Sequence, residues 1–135
     1  MGNAANHWPK DVIVPLAKPF TDARGAIQTL ADAPLQAAQL ITSRKGTVRA
    51  NHYHKEGWHY CYVVSGSIDY YHRPVGSKDK PEQIHIATGQ VFFTPPMVEH
   101  AMVFPEDTVF LNLAGNKRDQ QAYEDDLVRV ELVKV

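Results

Sequence analysis

Four histidines carry the chemistry that this chain can do. His52 and His54 are separated by one residue, His59 follows four residues later, and His100 lies far downstream behind Pro95 and Pro96. In an extended strand side chains alternate faces, so His52 and His54 point the same way with Cα atoms roughly 6.6 Å apart. Two imidazoles so placed can reach one ion. Lys55-Glu56-Gly57 has the polarity and the glycine of a hairpin turn. Beyond it His59 is expected back on the neighbouring strand, with Cys61 and Val63 on its face. His52, His54, His59 and His100 are therefore the expected ligands of one divalent transition metal, Fe, Mn, Zn, Ni or Co, since imidazole suits Zn, Cu, Fe and Ni. Four neutral ligands leave the ion its full charge, which favours Lewis-acid chemistry. Zinc would close a tetrahedral shell on four imidazoles, whereas the other ions would keep open positions.

The elements that must position these side chains are strands. Short β-type runs punctuated by turn residues recur at 12–15, 26–30, 38–42, 47–54, 58–64, 67–71, 83–87, 91–93, 100–103, 108–113 and 128–133. That spacing, with no convincing helical period, predicts an all-β barrel or sandwich. The polar stretch 119–126 lacks an apolar stripe and predicts at most a turn or one short helix. Residues 1–10 are expected to form a flexible segment unless Trp8 docks, and 11–135 a single domain.

The histidine pattern resembles the cupin family. Its first motif is matched by Gly46, His52, His54, His59 and Gly66, with His59 where glutamate is usual; its second by Gly89, Pro95 and His100, with Met97 where glycine is usual and Phe104 where asparagine is usual. The resemblance implies a jelly-roll β-barrel that gathers both motifs at one end. Pro19-Phe20-Thr21-Asp22-Ala23-Arg24-Gly25 and Val48-Arg49-Ala50-Asn51-His52-Tyr53-His54-Lys55 are similar to segments of nucleotide-sugar epimerase and ketoisomerase cupins, Ala50 standing where glycine is usual. That second resemblance implies roles for Arg24, Arg49 and His52 in holding or acting on a sugar nucleotide.

The expected function is a metal-binding isomerase or epimerase of a carbohydrate-derived or nucleotide-sugar carbonyl compound. Arg49 would steady an enolate oxygen while His72 or Tyr70 moves protons; Arg24, Arg49, Phe93 and Met102 would contact substrate. A metal-dependent dioxygenase and a non-catalytic small-molecule-binding protein are the alternatives. If His52 acted as the base, as the second resemblance implies, it could not also be a committed ligand. Cys61 is expected to be a small buried residue, and His85 to face solvent.

Composition bounds the rest. With 135 residues, 44% hydrophobic, a net charge of −1 and cationic residues scattered singly, the chain has room for one core and no footprint for nucleic acid or an anionic membrane. The single cysteine and a start without an apolar core lead to the expectation of a cytoplasmic protein. The aromatic set Trp58, Tyr60 and Tyr62, on the face opposite His59, is expected to be exposed as a homodimer surface.

Overall fold

Alternation between polar and apolar residues fixes the elements, and burial follows it: Thr108, Phe110, Asn112 and Ala114 turn inward along one strand while Val109, Leu111 and Leu113 are half-covered. The computed structural model describes residues 8–134. The elements are β1 (Ile13–Val14), β2 (Phe20–Asp22), β3 (Gly25–Ile27), β4 (Ala37–Ser43), β5 (Val48–His54), β6 (His59–Ser65), β7 (Ser67–Pro74), β8 (Glu82–Ala87), β9 (Val91–Thr94), β10 (Val98–Val103), β11 (Thr108–Ala114), α1 (Gln120–Asp126) and β12 (Leu127–Arg129). The strand β2 was not expected. Phe20-Thr21-Asp22 is three residues long and pairs only with β3 across a two-residue turn, too short to carry a period of its own. Residues 1–7, including His7 and most of the expected flexible segment, lie outside the described residues.

Ten strands form two antiparallel five-stranded sheets, in the orders β1-β9-β6-β11-β4 and β12-β5-β10-β7-β8. Among the described residues no strand pairing joins the sheets into a closed barrel, so the all-β fold is a two-sheet jelly roll. Between the sheets Val63, Ile68, Tyr70, Ile86, Phe92, Phe104 and Phe110 form a core with at most 1% of any residue exposed. Burying one such side chain stabilises the fold by about 1.5–3 kcal/mol.

The strands β5 and β6 belong to different sheets. The expected hairpin between them is instead a crossing from one sheet to the other, and His59 faces His52 and His54 across the interior rather than beside them. The aromatic face behaves differently from expectation as well. Trp58, Tyr60 and Phe93 are covered by Trp8, Val14, Leu16, Leu30, Ala31 and Ala33 of the same chain, with Trp8 5.8 Å from Phe93 and 6.4 Å from Trp58 between ring centroids. The surface assigned to a second copy is thus largely occupied by the chain's own residues 8–33, because the apolar positions there find an apolar sheet face to bury.

The last segment completes the site. Asp119 caps α1, its Oδ1 accepting from the Ala122 amide at 3.0 Å. Next, β12 pairs with β5 and sets Leu127 opposite His54 and Arg129 opposite His52. The expected strand 128–133 is shorter than read from sequence, because beyond Arg129 the backbone bonds to the Asn51 side chain, which accepts from the Leu132 and Val133 amides and donates to the Val133 carbonyl.

Candidate active site

The histidines are aimed by a bulge. Pairing between β10 and β5 runs His100 to His52 but Ala101 to Ala50, so Asn51 is the extra residue. Ala50 and Asn51 take left-handed conformations, φ 71° and 54°. That conformation costs a residue with a Cβ about 1 kcal/mol, which is the physical reason for glycine in the resembling motif. The bulge twists the strand and turns His52 and His54 into the cavity. Met97, φ 61°, replaces a second motif glycine in the same way, and its amide donates to the His54 carbonyl at 2.8 Å.

His52, His54 and His100 form a compact cluster whose ligand nitrogens all lie within 4.8 Å of one another. Two of the three tautomers follow from their partners. His54 Nδ1 donates to Asp126 Oδ2 at 3.0 Å, and His100 Nδ1 donates to the Val98 carbonyl at 3.0 Å. Carboxylate and carbonyl only accept, so each ring carries its proton on Nδ1 and turns the Nε2 lone pair inward. Both Nε2 atoms are buried and have no hydrogen-bond partner. Orphaned acceptors of this kind are costly without an occupant. Two neutral imidazoles with inward lone pairs, and a third, His52, beside them, fit a divalent transition metal. Two metal–nitrogen bonds of about 2.1 Å span about 4.2 Å when opposed and about 3.4 Å at tetrahedral angles, so the cluster would draw together to hold an ion.

His59 stands outside that cluster. It sits on the opposite sheet and its nitrogens are not in that group, although its ring centroid, 5.8 Å from that of His54 and 5.5 Å from that of His100, is no farther from them than they are from each other, 5.8 Å. A chain of bonds orients it: Asn112 Nδ2 donates to Gln39 Oε1 at 3.0 Å, Cys61 Sγ donates to Asn112 Oδ1 at 3.4 Å, and His59 Nδ1 lies 3.3 Å from Cys61 Sγ. With the thiol proton committed to Asn112, His59 donates from Nδ1 and its Nε2 lone pair also faces the cavity. Cys61 is thus an orienting group, and burial pushes its pKa far up, leaving a thiol rather than a thiolate.

The cavity, about 390 Å³, is lined by these four histidines with Arg49, Met102, Phe110, Asn112, Arg118 and Tyr123 among others. Burial first, and then the neighbouring His100, depress His52 to about 2; burial depresses His100 to about 3 and carries His59 well below its ordinary value. His54 is lowered by burial against the opposing pull of Asp126. All four are therefore neutral near pH 7, the state that binds a metal or accepts a proton. Asp126 is fully engaged, accepting also from the Glu56 and Gly57 amides at 2.8 and 3.1 Å. Gly57 is required there: a Cβ would fall 2.6 Å from Asp126 Oδ2.

The remaining expected residues divide. Arg49 lines the cavity, with its guanidinium donating to Ser43 Oγ at 2.7 Å and to the Thr42 carbonyl at 2.9 Å, and Met102 forms part of the wall. Tyr70 is buried in the core, its hydroxyl bonded to Thr94 Oγ1 at 2.6 Å, and does not line the cavity. His72 opens onto a surface recess beside Glu82, 3.7 Å from its carboxylate. Phe93 packs on the outer aromatic face, one residue out of phase with the inward Phe92. Arg24 sits on the β2–β3 hairpin, paired with Asp22 at 2.6 Å and almost fully exposed. Sequence reasoning missed Arg118 and Tyr123, which line the cavity, and Asp126, which holds His54 from behind it. The available signal was the polar stretch 119–126 itself, a helix without an apolar stripe that nonetheless carries a tyrosine and ends next to a strand.

Motif, fold and site together define a cupin. The Cupin domain model matches residues 39–113, more than half of the chain, and the protein belongs to that family. Among curated proteins none matches the sequence. Similar solved structures include the dTDP-4-dehydrorhamnose 3,5-epimerase of Sulfolobus tokodaii, at 18% identity and TM-score 0.70 over 89% of this chain and 78% of that one. The QdtA 3,4-ketoisomerase of Thermoanaerobacterium thermosaccharolyticum, a double mutant in complex with TDP, is 27% identical with TM-score 0.66 over 83% of this chain and 82% of that one. A 3,4-ketoisomerase of Helicobacter canadensis is 18% identical, TM-score 0.68, over 83% and 85%. No helix among the described residues is long and apolar enough to cross a membrane.

Proposed function

We propose that this cupin is an isomerase or epimerase of a carbohydrate-derived carbonyl compound, with a nucleotide-linked keto-sugar as the leading substrate class, and that His52, His54 and His100 hold one divalent transition metal. The observation that carries the site is the pair of buried, partnerless Nε2 atoms on His54 and His100, whose protons are fixed on Nδ1 by Asp126 and Val98. The similarity to a TDP-bound 3,4-ketoisomerase at 27% identity supports the substrate class.

A bound ion would polarise the carbonyl oxygen as a Lewis acid. The proton work falls to the residues around it. His59, neutral and oriented by Cys61, takes the proton from the carbon beside the carbonyl on Nε2, and the C–H electron pair moves onto the oxygen as an enolate. The imidazolium is then stabilised by the enolate it faces. Tyr123, on α1 at the other wall, returns a proton to the opposite face in an epimerisation; return to the neighbouring carbon through an enediol gives the ketoisomer. Arg49 steadies the developing oxyanion with its free N–H groups.

A second reading is favoured by one specific contact. The His54–Asp126 pair is itself a base with its orienting carboxylate, and in that form works without metal. One experiment tests both. Incubation of a TDP-linked 4-keto-6-deoxy sugar with the protein in D₂O, followed by NMR, should reveal deuterium at the carbon beside the carbonyl. Loss of exchange after chelation supports the metal reading, and unchanged exchange supports the metal-free dyad. Absence of exchange across a panel of keto-sugars, with oxygen uptake by the iron-loaded protein, would reject the isomerase.

A further inference from the structure

Arg118 is a guanidinium without a counter-ion inside the histidine cavity. It follows β11, lines the same cavity as His52, His54, His59 and His100, and its Nε is buried with no hydrogen-bond partner. Among the described residues it makes no hydrogen bond and no ion pair. The comparison with Arg73, the other half-buried arginine, is direct: Arg73 is held by Glu99 at 2.8 Å and donates to the Asp79 carbonyl. Arg118 is instead steadied by the Tyr123 ring, whose centroid lies 5.2 Å from its Cζ. That contact fixes the plane of the fork and consumes none of its five N–H donors.

The surroundings offer the charge little relief: Asp126 attracts it from a distance but is not bonded to it. No aspartate or glutamate lines the cavity. Asp126 is spent on His54 and two backbone amides, and the four imidazoles are neutral. Burial already weakens the hold of Arg118 on its proton. A half-buried cation whose Nε is sealed from water without a partner gains when an anion arrives, and a planar fork is matched by two oxygens of a carboxylate or a phosphate.

We propose that Arg118 is the anion anchor of this cavity, receiving an oxyanion of the ligand, a carboxylate or a phosphate ester, within reach of the histidine cluster. The inference rests on the cavity being the ligand site, as the proposed function holds, and it adds that the ligand brings its own negative charge into it. Arg118 would act as a specificity-determining residue: a neutral sugar of the same shape would leave the guanidinium unpaired and be rejected.

The test needs no turnover, so its failure is separable from failure of the isomerase reading. Metal-stripped full chain is titrated calorimetrically at low ionic strength with malonate and, in a second arm, with inorganic phosphate. At least one should bind at millimolar concentration or tighter; the better binder identifies carboxylate or phosphate as the group received. Arg118→Gln should weaken that binding at least tenfold, Arg118→Lys should retain part of it, and Arg73→Gln should leave it unchanged. Circular dichroism of each variant checks folding, and should Arg118→Gln fail to fold, the Lys variant and the salt dependence of wild-type binding carry the test. Binding of neither anion by the wild type, or equal binding by folded Arg118→Gln, overturns the proposal. Anion binding through Arg118 without deuterium exchange on any keto-sugar would leave the anchor standing and remove the isomerase.

Discussion

The two ends of the interior are equally buried and chemically opposite. The strands supply both: β6 carries His59 at one end and Val63 at the other on a single face, and β10 likewise carries His100 and Met102. At the apolar end Ile68, Phe92 and Phe104 are covered by other apolar side chains of the core. At the polar end His54 and His100 are as deeply buried as the phenylalanines, yet their inward nitrogens have none. Burial therefore does not distinguish core from site here. What distinguishes them is whether each buried group is satisfied by the protein itself, and the polar end is built to be completed by something else.

The largest expected effect lies at the end that is already complete. Phe104→Ala should destabilise the fold by about 3–5 kcal/mol, read as a shift of the denaturant midpoint at constant slope. Acid comes next and attacks the other end. In the metal-free protein His52 and His100 have folded values of about 2 and about 3, below their ordinary 6.5. Below pH 6.5 the unfolded chain binds protons that the folded chain refuses, so stability is complete above 6.5 and falls as the pH drops toward 3. Over the span tested, from pH 6.5 to 5, the two rings together should lower stability by on the order of 3 kcal/mol. Urea unfolding at pH 7.5, 6 and 5 checks the slope; a flat profile would mean that these rings take up protons in the folded state as readily as in the unfolded one.

A smaller effect probes how the polar end is held open. Asp126→Asn keeps the shape of the side chain but presents an amide to the Glu56 and Gly57 N–H groups that the carboxylate now accepts. Loosening of His54 should lower metal affinity by about 10- to 100-fold, measured by competition with a chelator, with little change in fold. The smallest effects concern the strained backbone. Ala50→Gly and Met97→Gly should each raise stability by about 0.5–1 kcal/mol, since both positions have positive φ.

Much of this comparison was legible in the sequence, and the gaps have physical causes. His52, His54, Cys61 and Val63 were assigned to the correct faces because strand alternation is local. The relation of β5 to β6 was not, because a polar tetrad with a glycine turns a chain equally well within a sheet or between two. His59 consequently stands across the cavity rather than in the cluster. The aromatic strip Trp58-x-Tyr60 was read as a free surface because nothing local says that Trp8 and Leu16 return to cover it. Phe93 was assigned to the ligand although it is buried on that outer face, an error of one residue in phase. Arg118, Tyr123 and Asp126 enter by long-range pairing of β12 with β5, which no spacing within residues 116–129 announces.

Metal content tests the central claim most directly. Protein purified without added metal and analysed by plasma mass spectrometry should hold close to one divalent transition ion per chain. His54→Ala and His100→Ala should lose it. His59→Ala should reduce occupancy far less, His59→Glu should preserve it, and His85→Ala, an exposed residue bonded to Asp69, should leave it unchanged. A wild-type protein that retains no metal even after reconstitution, or one whose occupancy is indifferent to His54 and His100, would contradict the account.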